Sequence, residues 1–146
     1  MDINSPEQIS TAFARLYLQL HRLMDRRMAE NGASLASHKV LSYLEKHGAR
    51  RATDIADFFG QAPRTVTEAI DGLERKGLVS REPDPSDRRA KHVSITAAGL
   101  AALQATQPLR VALIDRVFGV LEPGESDQLH ALIAKLAQAV EAEERG

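Results

Sequence analysis

The chain has no cysteine and no tryptophan in its 146 residues. Without cysteine there can be no disulfide, thiolate nucleophile, thiol redox sensor or Cys-ligated zinc or iron–sulfur site. Aromatics make up only 4% of the chain, so a core must be built from Leu, Ile, Val and Ala, which favours packed helices. No run approaches the roughly 18 apolar residues of a membrane span. The first ten residues, MDINSPEQIS, carry neither a basic region nor an apolar run, so no signal peptide and a cytoplasmic location are expected. There is no glycine-rich phosphate loop, no GxSxG turn and no HExxH, so neither an enzyme nor any catalytic residue is expected. The five histidines, His21, His38, His47, His92 and His130, show no local ligand spacing such as HxxxH, and no metal site or resident cofactor is expected.

Net charge is also missing, at −1 overall, but its distribution is uneven. From Arg75 to Lys91 six basic residues face three acidic ones, whereas from Asp115 to Gly146 seven acidic face three basic. A basic middle hints at an anionic partner there. The length allows one domain with a sizeable core.

Apolar periodicity predicts mostly helix. Ile9, Phe13, Leu16, Leu20 and Leu23 make one stripe over residues 6–30, with Ser5 as N-cap and Pro6 at the first helical position. Ser34 caps a second helix, about 35–47, with Val40, Leu41 and Leu44 inside. Ala49–Ala52 reads as a small strand, and Thr53 as the N-cap of a third helix over 54–59. Two short β-type runs, Leu78–Glu82 and His92–Ile95, enclose a proline-containing charged tip. Thr96 caps a helix to about Phe118, which Pro108 should kink or split. Pro123 opens a last helix carrying Leu129, Leu132, Ile133, Leu136 and Val140. The fold expected is mainly α with a small β-wing. A winged helix-turn-helix over 34–96 is flanked by helical regions, 1–33 and 97–146, whose stripes exceed what the middle can cover. The simplest way to bury those stripes is against each other and a second copy of the chain.

The stretch APRTVTEAIDGLERKGLV, 62–79, is the centre of the chain. Val66, Ile70 and Leu73 share one face, and Gln61, Arg64, Glu68, Asp71 and Arg75 fall opposite, with Thr65 and Thr67 on the flanks. Pro63 suits the first turn and Gly77 the C-terminal stop. Such a helix fits the major groove of B-DNA, where Arg suits guanine, Gln suits adenine and a Thr methyl can meet a thymine methyl. Arg88 and Arg89 at the end of the hairpin tip, with Lys91 behind them, suit the adjacent minor groove. The competing readings are an ordinary solvated helix face, laced by the i,i+4 pairs Arg64–Glu68 and Asp71–Arg75, and a solubilising loop. The wing beside the helix tips the balance to DNA.

APRTVTEAIDGLERKGLVSREPDPSDRRAKHVSITAAG resembles the multiple-antibiotic-resistance regulator (MarR) family of bacterial winged-helix repressors. The matching features are Pro63, Thr65-Val66-Thr67, Asp71, Leu73-Glu74, Gly77-Leu78-Val79, Arg81, Asp84-Pro85, Asp87-Arg88-Arg89, and Ile95-Thr96 followed by Gly99. The resemblance implies a ligand-responsive regulator, expected to be a repressor, that binds a pseudo-palindromic double-stranded operator as a homodimer. It also implies a small aromatic or phenolic effector between the dimerisation and DNA-binding parts. Tyr17, His21, His38 and Tyr43 are the candidates to line that site; each has the plainer reading of a boundary residue. Asp71 and Asp87 are expected to orient the wing, Asp71 through Arg88 or Arg89. Three residues depart from the family pattern: Ala62 where Ser or Thr is a common N-cap, Glu68 where a basic residue is common, and Gly72 in place of a large, often basic residue. The alternative function is a winged helix used as a protein-interaction module.

Overall fold

The computed structural model describes residues 4–146; residues 1–3, part of the stretch read for a targeting signal, lie outside the described residues. Six helices and three strands follow in the order α1 (Pro6–Ala29), α2 (Leu35–His47), β1 (Arg50–Arg51), α3 (Ala52–Phe59), α4 (Pro63–Arg75), β2 (Val79–Pro83), β3 (Lys91–Ile95), α5 (Ala97–Phe118) and α6 (Pro123–Arg145). The chain packs as two compact units, Met1–Leu109 and Arg110–Gly146. Among the described residues, no helix is long and apolar enough to cross a membrane.

Local chemistry sets the helix ends. The Ser5 hydroxyl accepts from the Gln8 amide at 3.3 Å, and the Ser34 hydroxyl from the Ser37 amide at 3.0 Å. Thr96 caps α5 by accepting from the Gly99 amide at 3.0 Å and donates to the Gly77 carbonyl at 2.7 Å, so one hydroxyl ties the wing's root to the next helix. Helix α3 begins earlier than expected. Arg51, not Thr53, is its N-cap, because the Asp54 carboxylate accepts the Arg51 amide at 3.2 Å as the chain leaves β1. Pro108 does not split α5, which runs unbroken from Ala97 to Phe118. A single proline removes one backbone bond, and the turns on either side carry the helix through.

The sheet is antiparallel with order β1-β3-β2. In β2–β3 the register runs from Val79 opposite Ile95 to Pro83 opposite Lys91, leaving a seven-residue tip over 84–90. Pro83 ends an edge strand, where its missing N–H breaks no ladder. Within the first unit the core joins Leu41 and Leu44 of α2, Ile55 of α3, Val66, Ile70 and Leu73 of α4, Val79 and Val93 of the wing, and Leu103 of α5. Ile55 and Ile70 are fully enclosed. This core fixes α4 by its apolar face and roots the wing beside it.

Candidate nucleic-acid interface

The α4 face opposite that core is open. Gln61, Arg64, Thr65, Thr67, Glu68 and Arg75 are all exposed, while Val66, Ile70 and Leu73 are at most 1% exposed. The contrast follows from the 3.6-residue period. Gly60, at φ +62° in the turn between α3 and α4, takes a left-handed conformation that a side chain would disfavour. Ala62 holds the N-cap position without a side-chain hydrogen bond, so the free amides of the first turn of α4 stay open toward any partner.

Two sets of ion pairs mount the wing. Arg81 on β2 reaches back to α4, donating to Asp71 Oδ1 at 2.6 Å and to Glu74 Oε1 at 3.1 Å. This corrects the expectation that Asp71 orients Arg88 or Arg89. The chain turns at Gly77 and runs antiparallel to α4, which sets Arg81, ten residues on, beside Asp71; the tip arginines lie farther out along the hairpin. The second pair was not foreseen. Arg51 Nε donates to Asp84 Oδ2 at 3.0 Å, tying the tip's base to β1. Asp84 Oδ1 accepts from the Ser86 amide at 2.8 Å and its hydroxyl at 2.6 Å. These two bonds from Ser86, then the Arg51 guanidinium, hold the Asp84 carboxyl well below the usual carboxylate range. Asp84 correspondingly raises the Arg51 pKa. Asp87 Oδ1 accepts from the Arg89 amide at 3.0 Å, folding the tip locally. Arg88, Arg89 and Lys91 remain exposed.

The four effector candidates divide among three settings. Tyr17, 56% exposed, lies near His21 on α1, with ring centroids 6.0 Å apart. Tyr43 is buried against Phe58, at 4.8 Å, and His47, at 4.5 Å. His38 is buried, its Nδ1 2.8 Å from the Thr106 hydroxyl. His38 lines a cavity of about 190 Å³ whose walls also include Ser34, Ser37, Lys76, Leu78 and Thr106. That cavity reaches from the start of α2 to the end of α4.

Arg51 and Asp84 escaped the sequence reading as partners because a two-residue strand has no periodicity to reveal it. The Asp-Pro-Ser sequence at 84–86 did carry a signal, since an aspartate followed two residues later by serine is a turn signature.

Residues 34–91 match the family model described as MarR family. The chain is 31% identical over 137 residues to the HTH-type transcriptional repressor MdtR of Bacillus subtilis strain 168, covering 94% of this chain and 88% of that protein. Many solved structures share its fold, among them these two. One is the Staphylococcus aureus MepR–DNA complex, at 23% identity and TM-score 0.80, covering 89% of this chain and 96% of that one. The other comes from a structure on regulation of DNA binding of Bordetella bronchiseptica BpsR by 6-hydroxynicotinic acid, at 25% identity and TM-score 0.78, covering 89% and 98%. The chain therefore belongs to the MarR family and is a DNA-binding winged-helix transcriptional regulator, not an enzyme.

Proposed function

We propose that this regulator is a ligand-responsive repressor that binds a pseudo-palindromic operator as a homodimer. The observation that carries the reading is the open polar face formed by Gln61 and, on the first half of α4, Arg64, Thr65, Thr67 and Glu68, standing beside a braced basic wing. Gln61, Arg64, Thr65 and Thr67 enter the major groove. Arg88 and Arg89 enter the neighbouring minor groove, and Lys91 and Arg75 meet phosphates. A two-fold dimer sets its two helices about one DNA turn, roughly 34 Å, apart. Exposed apolar residues supply the dimer face: Ile9, Phe13 and Leu16 on α1, and Leu132, Leu136 and Val140 on α6. Exposed apolar stripes on each of these helices are the kind of surface that association covers.

The effector is a single-ring aromatic acid or phenol in the cavity beside His38. Lys76, the C-cap of α4, offers its ammonium to a carboxylate, and Ser34 and Ser37 offer hydroxyls. A compound seated there touches the end of α4, helix α2 of the DNA-binding part and helix α5 of the flanking part. It releases DNA in so far as it binds one helix arrangement better than the other. The 6-hydroxynicotinic acid that regulates DNA binding of BpsR is of this chemical class.

The test is a titration of the full chain onto DNA upstream of its own gene, at several salt concentrations and with a panel of aromatic acids. Affinity falls steeply with salt as counterions are released, and one compound releases the DNA. Arg89→Ala weakens binding to all sequences and lowers the salt slope by about one, whereas Arg64→Ala changes sequence preference. Salt-insensitive or absent binding, with both variants silent, returns the protein-interaction module as the better reading.

A further inference from the structure

Glu68 is an acid on a surface that meets a polyanion. Helix α4 carries three acidic residues, and the other two are occupied elsewhere: Asp71 and Glu74 both accept from Arg81 at the root of the wing. Glu68 instead accepts from Arg64 Nε, one turn toward the helix start, at 3.4 Å. The two side chains are 68% and 91% exposed, so the pair projects from the outer face and takes no part in the core.

A carboxylate accepts hydrogen bonds and cannot donate them. In the major groove, guanine shows two acceptors, N7 and O6, and thymine shows the O4 acceptor. Adenine sets its N6 donor beside the N7 acceptor, and cytosine shows the N4 donor. Guanine and thymine therefore repel a carboxylate, adenine gives with one atom and repels with the next, and cytosine alone satisfies it. Across one C·G pair the edge reads guanine N7, guanine O6, cytosine N4: two acceptors, then a donor. An arginine fork ion-paired to a carboxylate offers the complement, donors and then an acceptor.

We propose that Glu68 is a specificity-determining residue. Together with Arg64 it makes each half-site require one C·G pair, with guanine under Arg64 and cytosine under Glu68. The proposal rests on α4 lying in the major groove. Because Arg64 Nε stands 3.4 Å from Glu68 Oε1, the carboxylate has a cationic neighbour on the same face. It works mainly by exclusion, penalising the three wrong pairs at its position.

The test uses the full chain and a pool of random duplexes. Sites are selected with wild type, and each half-site position is then changed in turn to all four base pairs and titrated. Wild type loses about tenfold in affinity when one particular C·G pair becomes T·A, within the usual cost of a single mismatch. Glu68→Gln erases that preference or turns it toward adenine, which a carboxamide can bind through N6 and N7, and leaves the other positions unchanged. If Glu68→Gln binds every sequence more tightly but keeps the same preference at every position, Glu68 is only a general repulsive charge and the proposal falls. The companion variant Arg64→Ala separates that failure from failure of the groove reading. If it too leaves every preference unchanged, α4 is not in the groove at all. Both side chains are exposed, so circular dichroism of the variants matches wild type.

Discussion

Helices α4 and α6 are both amphipathic, yet in the single chain they end up differently. Helix α4 hides Val66, Ile70 and Leu73 almost completely. Helix α6 buries no residue, and Leu132, Leu136 and Val140 stand 56–59% exposed. A stripe of apolar residues shows that a face will be covered, and not by what. For α4 the cover is its own domain, which leaves the opposite face open, the face proposed to read DNA. For α6, and for Phe13 and Leu16 of α1 at 58% and 52% exposure, the cover proposed is a second copy.

The comparison breaks most visibly at α6. If α6 meets a second copy as proposed, replacing Leu132 and Leu136 together by Glu should turn a dimer into a monomer by light scattering. DNA affinity should fall at least about a hundredfold, because the two half-sites no longer act together. Truncation on the α4 side acts on folding instead. Ile70→Ala, at a site with no exposure, should cost about 2–5 kcal/mol in a urea melt, as core truncations do. Gly99→Ala comes next. A Cβ there would press into the Leu78 carbonyl and the Ile95 side chain, and overpacking of this kind costs about 1–3 kcal/mol. Thermal denaturation reads it.

The smallest effect concerns the wing. Asp84 has its folded pKa depressed by Ser86 and Arg51. Such a group contributes stability above its unfolded value, about 3.9, and loses it as pH falls through the lower folded value. Carboxyl-carbon NMR should therefore find Asp84 still ionised near pH 4, where ordinary aspartates are half protonated. Asp84→Asn should quicken amide exchange over 84–90 while leaving the melting of the core almost unchanged.

Much of this was legible because short-range chemistry sets it. Pro6 and Pro63 at first helical positions, Ser34 and Thr96 as caps and Gly77 after α4 each announce an element end from within a few residues. The open and closed faces of α4 follow from periodicity alone. What escaped depends on register between elements. Asp71 pairs with Arg81 because of how β2 returns along α4. Arg51 reaches Asp84 because β1 lies beside β3, whose other neighbour is β2. The N-cap of α3 is Arg51 because the strand delivers the chain there. The effector candidates scattered for the same reason: Tyr43 and His38 lie on one helix, yet one meets Phe58 and the other Thr106. Sequence spacing on α2 does not say which neighbours those faces receive.

As proposed, two copies joined through their flanking helices set two α4 helices into one operator. A hydroxyl-radical footprint on DNA upstream of the gene, taken beside the molar mass of the complex, tests it most directly. Two protein chains per site and two symmetric protected half-sites about one helical turn apart are expected, both lost in the Leu132→Glu, Leu136→Glu variant. A single protected half-site occupied by one chain, unchanged in that variant, would contradict it.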